Sequence, residues 1–180
     1  AVVDDGGVQG TKMFGIGGRA FTKSVERELG IDFQQAEELK LALGTNKISG
    51  NRLPTIEKAL GKTLDVWVSG VELALGEFDK LDHLPHRLLL CGGGSSLDLL
   101  VDRLQQTDWY KKLPFTRKPI VQHIQPEQVV GMLDKTSRIT DHTFITAMGL
   151  LRVGLDTLQQ QDSSRTPGSI KERIDRMLQI

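Results

Sequence analysis

Leu88-Leu89-Leu90-Cys91-Gly92-Gly93-Gly94-Ser95 is the stretch that decides the fold. From Arg87 a short, continuous apolar run ends in three glycines. Leu97, Leu99, Leu100, Val101 and Leu104 then resume at helical spacing. A run that is apolar at every position predicts a strand buried on both faces, and strand, glycine turn and helix together make an α/β unit. Glycines in that turn let backbone approach a ligand with no Cβ in the way. The free N–H groups opening the helix favour anionic or polar ligand atoms. The spacing is not the G-x-G-x-x-G dinucleotide pattern, and no Gly-Lys-Ser/Thr follows as in a P-loop. Read for structure alone, it is a tight turn with Ser95 and Asp98 as a capping box.

Outward from this unit, Pro119 to Ile124 predicts a further strand. Pro126 suits the first position of a helix through Leu133. Thr140 is expected to cap a longer helix through Leu158, with Phe144, Ala147, Met148, Leu151 and Leu155 on its face. Upstream, Ala1-Val2-Val3 is a β-branched run stopped by the turn Asp4-Asp5-Gly6-Gly7, and Thr11 to Ile16 reads as a second strand. A helix from near Thr22 stops at Gly30, a well-placed C′ glycine. Asp32 and Gln35 form a capping box for the next helix, which carries Ala36, Leu39 and Leu43 on one face. Gly44 to Asn51 is loop chemistry. From Pro54, Ile56, Leu60, Leu64, Val68, Val71, Leu75 and Phe78 step by three and four, predicting one long helix that tolerates Gly61 and Gly70. The class is α/β and helix-rich.

Composition bounds the function. Across 180 residues, 23 Lys and Arg balance 23 Asp and Glu, so no basic excess points to nucleic acid, and that partner is excluded. Cys91 is the only cysteine, which removes a disulfide framework and a Cys-rich zinc site. The apolar run around Leu88 falls far short of the ~20 residues that span a bilayer. The opening residues lack a basic n-region and a long h-region, so a cytoplasmic location is expected.

Two more stretches bear chemistry. Ile16-Gly17-Gly18-Arg19 is again strand, double glycine and helix, and a tight turn is its plain structural reading. Glu37 and Lys40, at i and i+3 in Ala36-Glu37-Glu38-Leu39-Lys40, share one helix face. Taken alone, that pair is read first as a solvated ion pair.

Taken in order, Ile16-Gly17-Gly18-Arg19-Ala20-Phe21-Thr22, Leu29-Gly30-Ile31, Ala36-Glu37-Glu38-Leu39-Lys40, a long helix and Leu88 to Ser95 resemble the second half of an actin-like ATPase. They are most similar to bacterial cell-division proteins of the FtsA type and pilus-assembly proteins of the PilM type. The resemblance spans roughly Thr11 to Leu104. It implies a ribonuclease H-like, actin-like lobe over residues 1–158, with an inserted helical subdomain at about 19–60. It implies ATP or ADP with Mg²⁺ as ligand. Gly92, Gly93, Gly94 and Ser95 would lie against the adenosine and α-phosphate, Glu37 and Lys40 would flank ribose and adenine, and Gly17 and Gly18 would border the phosphates. Physically, Glu37 is suited to accept ribose hydroxyls, and the Lys40 stem to cover the base while its charge stays wet.

Two departures matter. Nothing here corresponds to the family's first domain, and two strands plus a turn barely fit between Ala1 and Ile16. The chain is therefore expected to be a half-molecule with a shortened or missing phosphate-loop hairpin. Any ATP hydrolysis by one wall of the cleft would be weak or absent without the first domain. Turn chemistry is the preferred reason for the Asp4-Asp5 pair; if Asp4 is the family's phosphate-loop aspartate, it would reach Mg²⁺ through water.

His83, His86 and Cys91 lack metal-ligand spacing, so no protein metal centre is expected. Trp109-Tyr110 reads as a loop anchor. Gln159 to Gly168 is a polar linker, followed by an amphipathic helix over 169–180 with a Ser169/Glu172 capping box. That helix either docks on protein through Ile170, Ile174 and Leu178, the preferred reading, or touches the inner face of the cell membrane weakly.

The resemblance puts cell division first and type IV pilus assembly second. Its expected partners are the chain's own first domain or a self-polymer, and a tubulin-like division protein or pilus-assembly proteins. A small-molecule kinase of the same superfold and an interaction module without nucleotide are the rivals.

Overall fold

The computed structural model describes residues 1–44 and 53–164. The loop expected beyond Gly44 and the amphipathic helix over 169–180 lie outside the described residues. The chain divides into two units, Ala1–Ile124 and Gln125–Ile180.

The first unit opens with a hairpin of β1 (Val2–Asp4) and β2 (Gly7–Gly10). They pair antiparallel, with Val3 opposite Val8 and Asp4 opposite Gly7. Asp5 and Gly6 both have positive φ, 46° and 76°, the combination that a two-residue type I′ turn requires. The hairpin is therefore present but short, as the tight spacing demands. Thr11 to Ile16, expected as its second strand, carries no regular structure; the tight turn at Asp5-Gly6 brings the return strand forward to Gly7.

Three helices build the centre of this unit. Helix α1 (Gly18–Leu29) starts four residues before the expected Thr22 and buries Phe21, Thr22 and Val25. Gly30 ends it in the left-handed conformation (φ 64°), donating its N–H to Glu26 O. Helix α2 (Phe33–Gly44) begins as its cap predicts, with the Gln35 N–H on Asp32 Oδ1 at 2.9 Å and Ala36 fully buried. Helix α3 (Leu53–Gly76) buries Ile56, Ala59, Leu60, Leu64 and Val68 and ends two residues before Phe78, the last position expected on its stripe. Each such large apolar side chain contributes about 1.5–3 kcal/mol on burial. Helix α1 packs on both neighbours. Gly70 has a packing role, because a Cβ there would stand 3.0 Å from the Phe14 ring. That close approach lets Phe14 lie against Trp67, with ring centroids 6.0 Å apart.

Strand β3 (Arg87–Leu90) pairs in parallel with β4 (Ile120–His123), Leu88 opposite Val121 and Leu90 opposite His123. The expected burial on both faces does not hold. Leu88 and Leu90 pack on the core, but Leu89 is 46% and Ile120 52% exposed, so one face is covered and the other open. An all-apolar run cannot distinguish these cases. Helix α4 (Asp98–Gln106) covers the inner side with Leu100 and Leu104. Trp109 anchors the following turn, as expected: its indole N–H donates to Leu104 O at 3.0 Å, and Tyr110 and Phe115 meet its ring edge-on.

In the second unit, the helix expected from Pro126 to Leu133 is only a single 3₁₀ turn, Pro126–Gln128, closed by the Gln125 N–H on the Gln128 side chain. The next helix is capped by Asp141, not Thr140, with the Thr143 N–H on Asp141 Oδ1 at 2.9 Å. After a 3₁₀ turn, α5 runs from Ile145 to Ser164. The polar linker expected from Gln159 is thus helical as far as Ser164, since the run Gln159-Gln160-Gln161 consists of good helix formers. Met148 is buried on this helix, whereas Leu151 and Leu155, expected on its covered face, are exposed.

Candidate functional site

The first group of candidate residues meets where α2 crosses the start of α1. Gly17 is the N-cap of α1 with no side-chain cap, and Gly18 is the first helical residue. Both are exposed. The Lys40 ammonium reaches back from α2, donating to both Glu37 carboxylate oxygens at 2.8 Å, to Thr22 Oγ1 at 3.0 Å and to Gly18 O at 3.3 Å. Thr22, wholly buried, sits within 3.0 Å of Gly18 O and hydrogen-bonds Glu37 as well. Its single proton serves one of those acceptors at a time while its lone pair receives Lys40.

This cluster is tighter than a solvated ion pair. The Lys40 side chain is only 13% exposed; its charge is held in the cluster, against the expectation that it would stay wet. Burial pushes the Glu37 carboxyl up, but the Lys40 and Thr22 hydrogen bonds and the Lys40 charge outweigh it and hold the group below the usual glutamate range. Sequence reading missed Thr22. Its position four residues after Gly18, between the apolar Phe21 and Val25, was the available signal, because a hydroxyl on a buried helix face needs a partner.

The second group is the turn after β3. Gly92 takes φ 82° and ψ 162°, a region open essentially to glycine alone. Gly93 to Ser96 then form a 3₁₀ turn, and α4 starts only at Asp98. Ser95 does not cap α4 as expected. Its hydroxyl donates to Gly92 O at 2.8 Å, while Ser95 O meets the His123 ring nitrogen at 2.9 Å. The sharp bend at Gly92 folds the serine back onto its own turn.

Gly93 and Gly94 are different in kind from Gly92. Both are exposed, neither has positive φ, and a Cβ on either would meet nothing within 4 Å. Among the described residues neither conformation nor packing requires glycine at these two positions, and the same holds for Gly17.

The structure brings Gly18, Glu37 and Lys40 together. Gly92 to Ser95 form a separate network, and among the described residues no hydrogen bond joins it to Glu37 or Lys40. Both networks attach to one core, in which Phe21 and Ala36 meet Ile56 and Leu60 of α3 and Leu97 and Leu100 beside the glycine turn. Asp4 ends β1, half-buried, with its carbonyl accepting from Gln9 at 3.5 Å. Among the described residues no three His, Cys, Asp or Glu gather as a metal centre, and no helix is long and apolar enough to cross a membrane.

Comparison with solved structures finds a chain of a PilM–PilN type IV pilus biogenesis complex, at a TM-score of 0.52 and 23% identity. In fold, this protein resembles a pilus-biogenesis protein. The likeness covers 76% of this chain and 37% of that one, so the protein spans little more than a third of its structural neighbour. No protein-family model matches the sequence, and no curated protein matches it. The mixed, helix-rich fold expected from sequence agrees with this neighbour. Cell division, placed first on the sequence, gains no support from it.

Proposed function

We propose that this chain is the nucleotide-binding second lobe of an actin-like protein that serves type IV pilus assembly. The observation that carries the reading is the shared fold with a chain of the PilM–PilN complex. The glycines fit it: among the described residues nothing packs against a Cβ at Gly17, Gly93 or Gly94, which leaves room for a ligand to approach the backbone. In this reading Gly92, Gly93, Gly94 and Ser95 form the wall against the adenosine and α-phosphate. Glu37, held ionised by Lys40 and Thr22, accepts the ribose hydroxyls. The uncapped start of α1 at Gly17 and Gly18 faces the phosphates, where free N–H groups favour negative charge.

The ligand is ATP or ADP with Mg²⁺, which screens the phosphate charge when bound. Mg²⁺ keeps most of its waters on such phosphates, so a lone carboxylate such as Asp4 is enough for a water-mediated contact. The nucleotide acts as a switch for assembly with the first domain, with other copies or with pilus-assembly proteins, at the cytoplasmic side of the membrane.

Calorimetric titration of ATP–Mg²⁺ tests this, with Gly94→Val as the control that fills the space above the turn. Heat of binding from the native chain and its loss in the variant are expected. A native chain that takes up no nucleotide would sink the reading and leave an interaction module.

A further inference from the structure

On the side of α1 away from Thr22 lies a groove of about 510 Å³ between α1 and α3. Ala20, Lys23 and Arg27 line one wall at i, i+3 and i+7, a single face of the helix. Lys62 and Val66 line the other wall, and Ile16 closes one end. Ile16, Ala20 and Val66 supply its apolar lining, and Val66 is 58% exposed to solvent. Ser24 in this wall is already satisfied, its hydroxyl on Ala59 O at 2.8 Å.

The rim is strongly one-sided. Lys23, Arg27 and Lys62 face a single carboxylate, Glu28, which pairs with Lys62 at 3.4 Å. Lys23 and Arg27 have no anionic partner among the described residues. A local excess of two positive charges therefore sits beside this apolar lining, on a chain whose net charge is zero. From Ala20 to Arg27 the wall is two helical turns long, ~11 Å at 1.5 Å per residue.

We propose that this groove is the docking site for an acidic amphipathic helix carried by a partner protein. Two apolar residues one turn apart seat on Ile16, Ala20 and Val66, and flanking Asp or Glu meet Lys23, Arg27 and Lys62. This is recognition of a helix in a groove, with apolar anchors giving affinity and charge fixing orientation. The site is separate from the glycine turn and stands whether or not ATP binds there.

The probe is a fluorescein-labelled helical peptide of roughly 14 residues, built from Ala, Glu and Leu with its leucines on one face. Saturable polarisation is expected with the native chain. Lys23→Glu with Arg27→Glu should weaken binding at least about tenfold, and Val66→Ser roughly threefold. Lys118→Glu, away from the groove, should leave it unchanged. A second peptide with Lys in place of Glu should bind the doubly reversed variant better than the native chain, which shows that the variant is folded and its groove intact. Absence of saturable binding to the native chain overturns the proposal. Binding that survives the double reversal, or that a Leu→Ser peptide matches, does the same. If anionic phosphatidylserine vesicles bind through Lys23 and Arg27 while the acidic peptide does not, the groove serves a membrane surface and the proposal fails.

Discussion

Replacing Gly92, Gly93 and Gly94 by alanine one at a time separates what the fold needs from what a ligand would need. At Gly92, φ 82° and ψ 162° place a Cβ in a region that costs on the order of 1–3 kcal/mol. At about 2–4 °C per kcal/mol for a chain of this size, Gly92→Ala should melt roughly 2–12 °C lower. At Gly93 and Gly94 the backbone is compatible with alanine and nothing lies within 4 Å of the new atom. Restricting the unfolded chain should then stabilise each variant by about 0.4–1 kcal/mol, a rise of ~1–4 °C. Thermal melts followed by circular dichroism give the stabilities, and titration of a fluorescent ATP analogue on the same samples gives the binding. The expected pattern is opposed: Gly93 and Gly94 variants gain stability and bind nucleotide less well. Should either of them lose more than about 1 kcal/mol, the fold itself uses that glycine. Should both keep full nucleotide affinity, the turn is not the cradle.

The clamp between α1 and α2 makes further predictions. Thr22→Val keeps the shape but removes the partner of Lys40 and Glu37, and urea unfolding should show a loss of about 1–2 kcal/mol. Because the folded Glu37 carboxyl lies below its ordinary range, the stability it adds is fully present above ~4.3 and fades as the pH falls through the lower, folded value. The stability difference between native chain and Glu37→Gln should therefore shrink between pH 5 and pH 3, as ~4.3 lies inside that window; a difference constant over that window would contradict the clamp. In the second unit, Asp134 accepts the Thr136 hydroxyl and the N–H groups of Thr136, Arg138 and Ile139. The Thr136 hydroxyl, first among these, holds its carboxyl down to about 2, so its carbon resonance should titrate there and not near ~3.9. Gly131→Ala should destabilise the second unit by about 1–2 kcal/mol, from φ 78° and from a Cβ 1.8 Å from the Arg152 guanidinium. Adding Arg152→Ala should relieve only the clash.

Much of the fold was legible because short-range physics fixes it. Asp32 announces α2, Gly30 terminates α1, and the three-four stripe from Ile56 to Val68 marks α3, each through interactions within a few residues. Readings failed where a distant partner decides. Leu89 has the same neighbours in sequence whether its face of the sheet is covered or open. Ser95 resembles a cap until Gly92 turns the chain away from α4. Thr140 and Asp141 are both good caps, and Asp141 is the one whose side chain accepts the Thr143 N–H. For the candidate site, helical spacing paired Glu37 with Lys40, but only the packing of α1 on α2 shows Thr22 beneath them.

Helix α1 belongs to two neighbourhoods at once. Its Thr22 side is hydrogen-bonded to α2 and its Ser24 side to α3. Gly17 and Gly18 at its amino end and the cationic wall at Lys23 and Arg27 belong to this one helix, so a ligand that shifted the first would reach the second. Two ligands coupled in that way would sense each other, and by thermodynamic reciprocity each would change the other's affinity by the same factor.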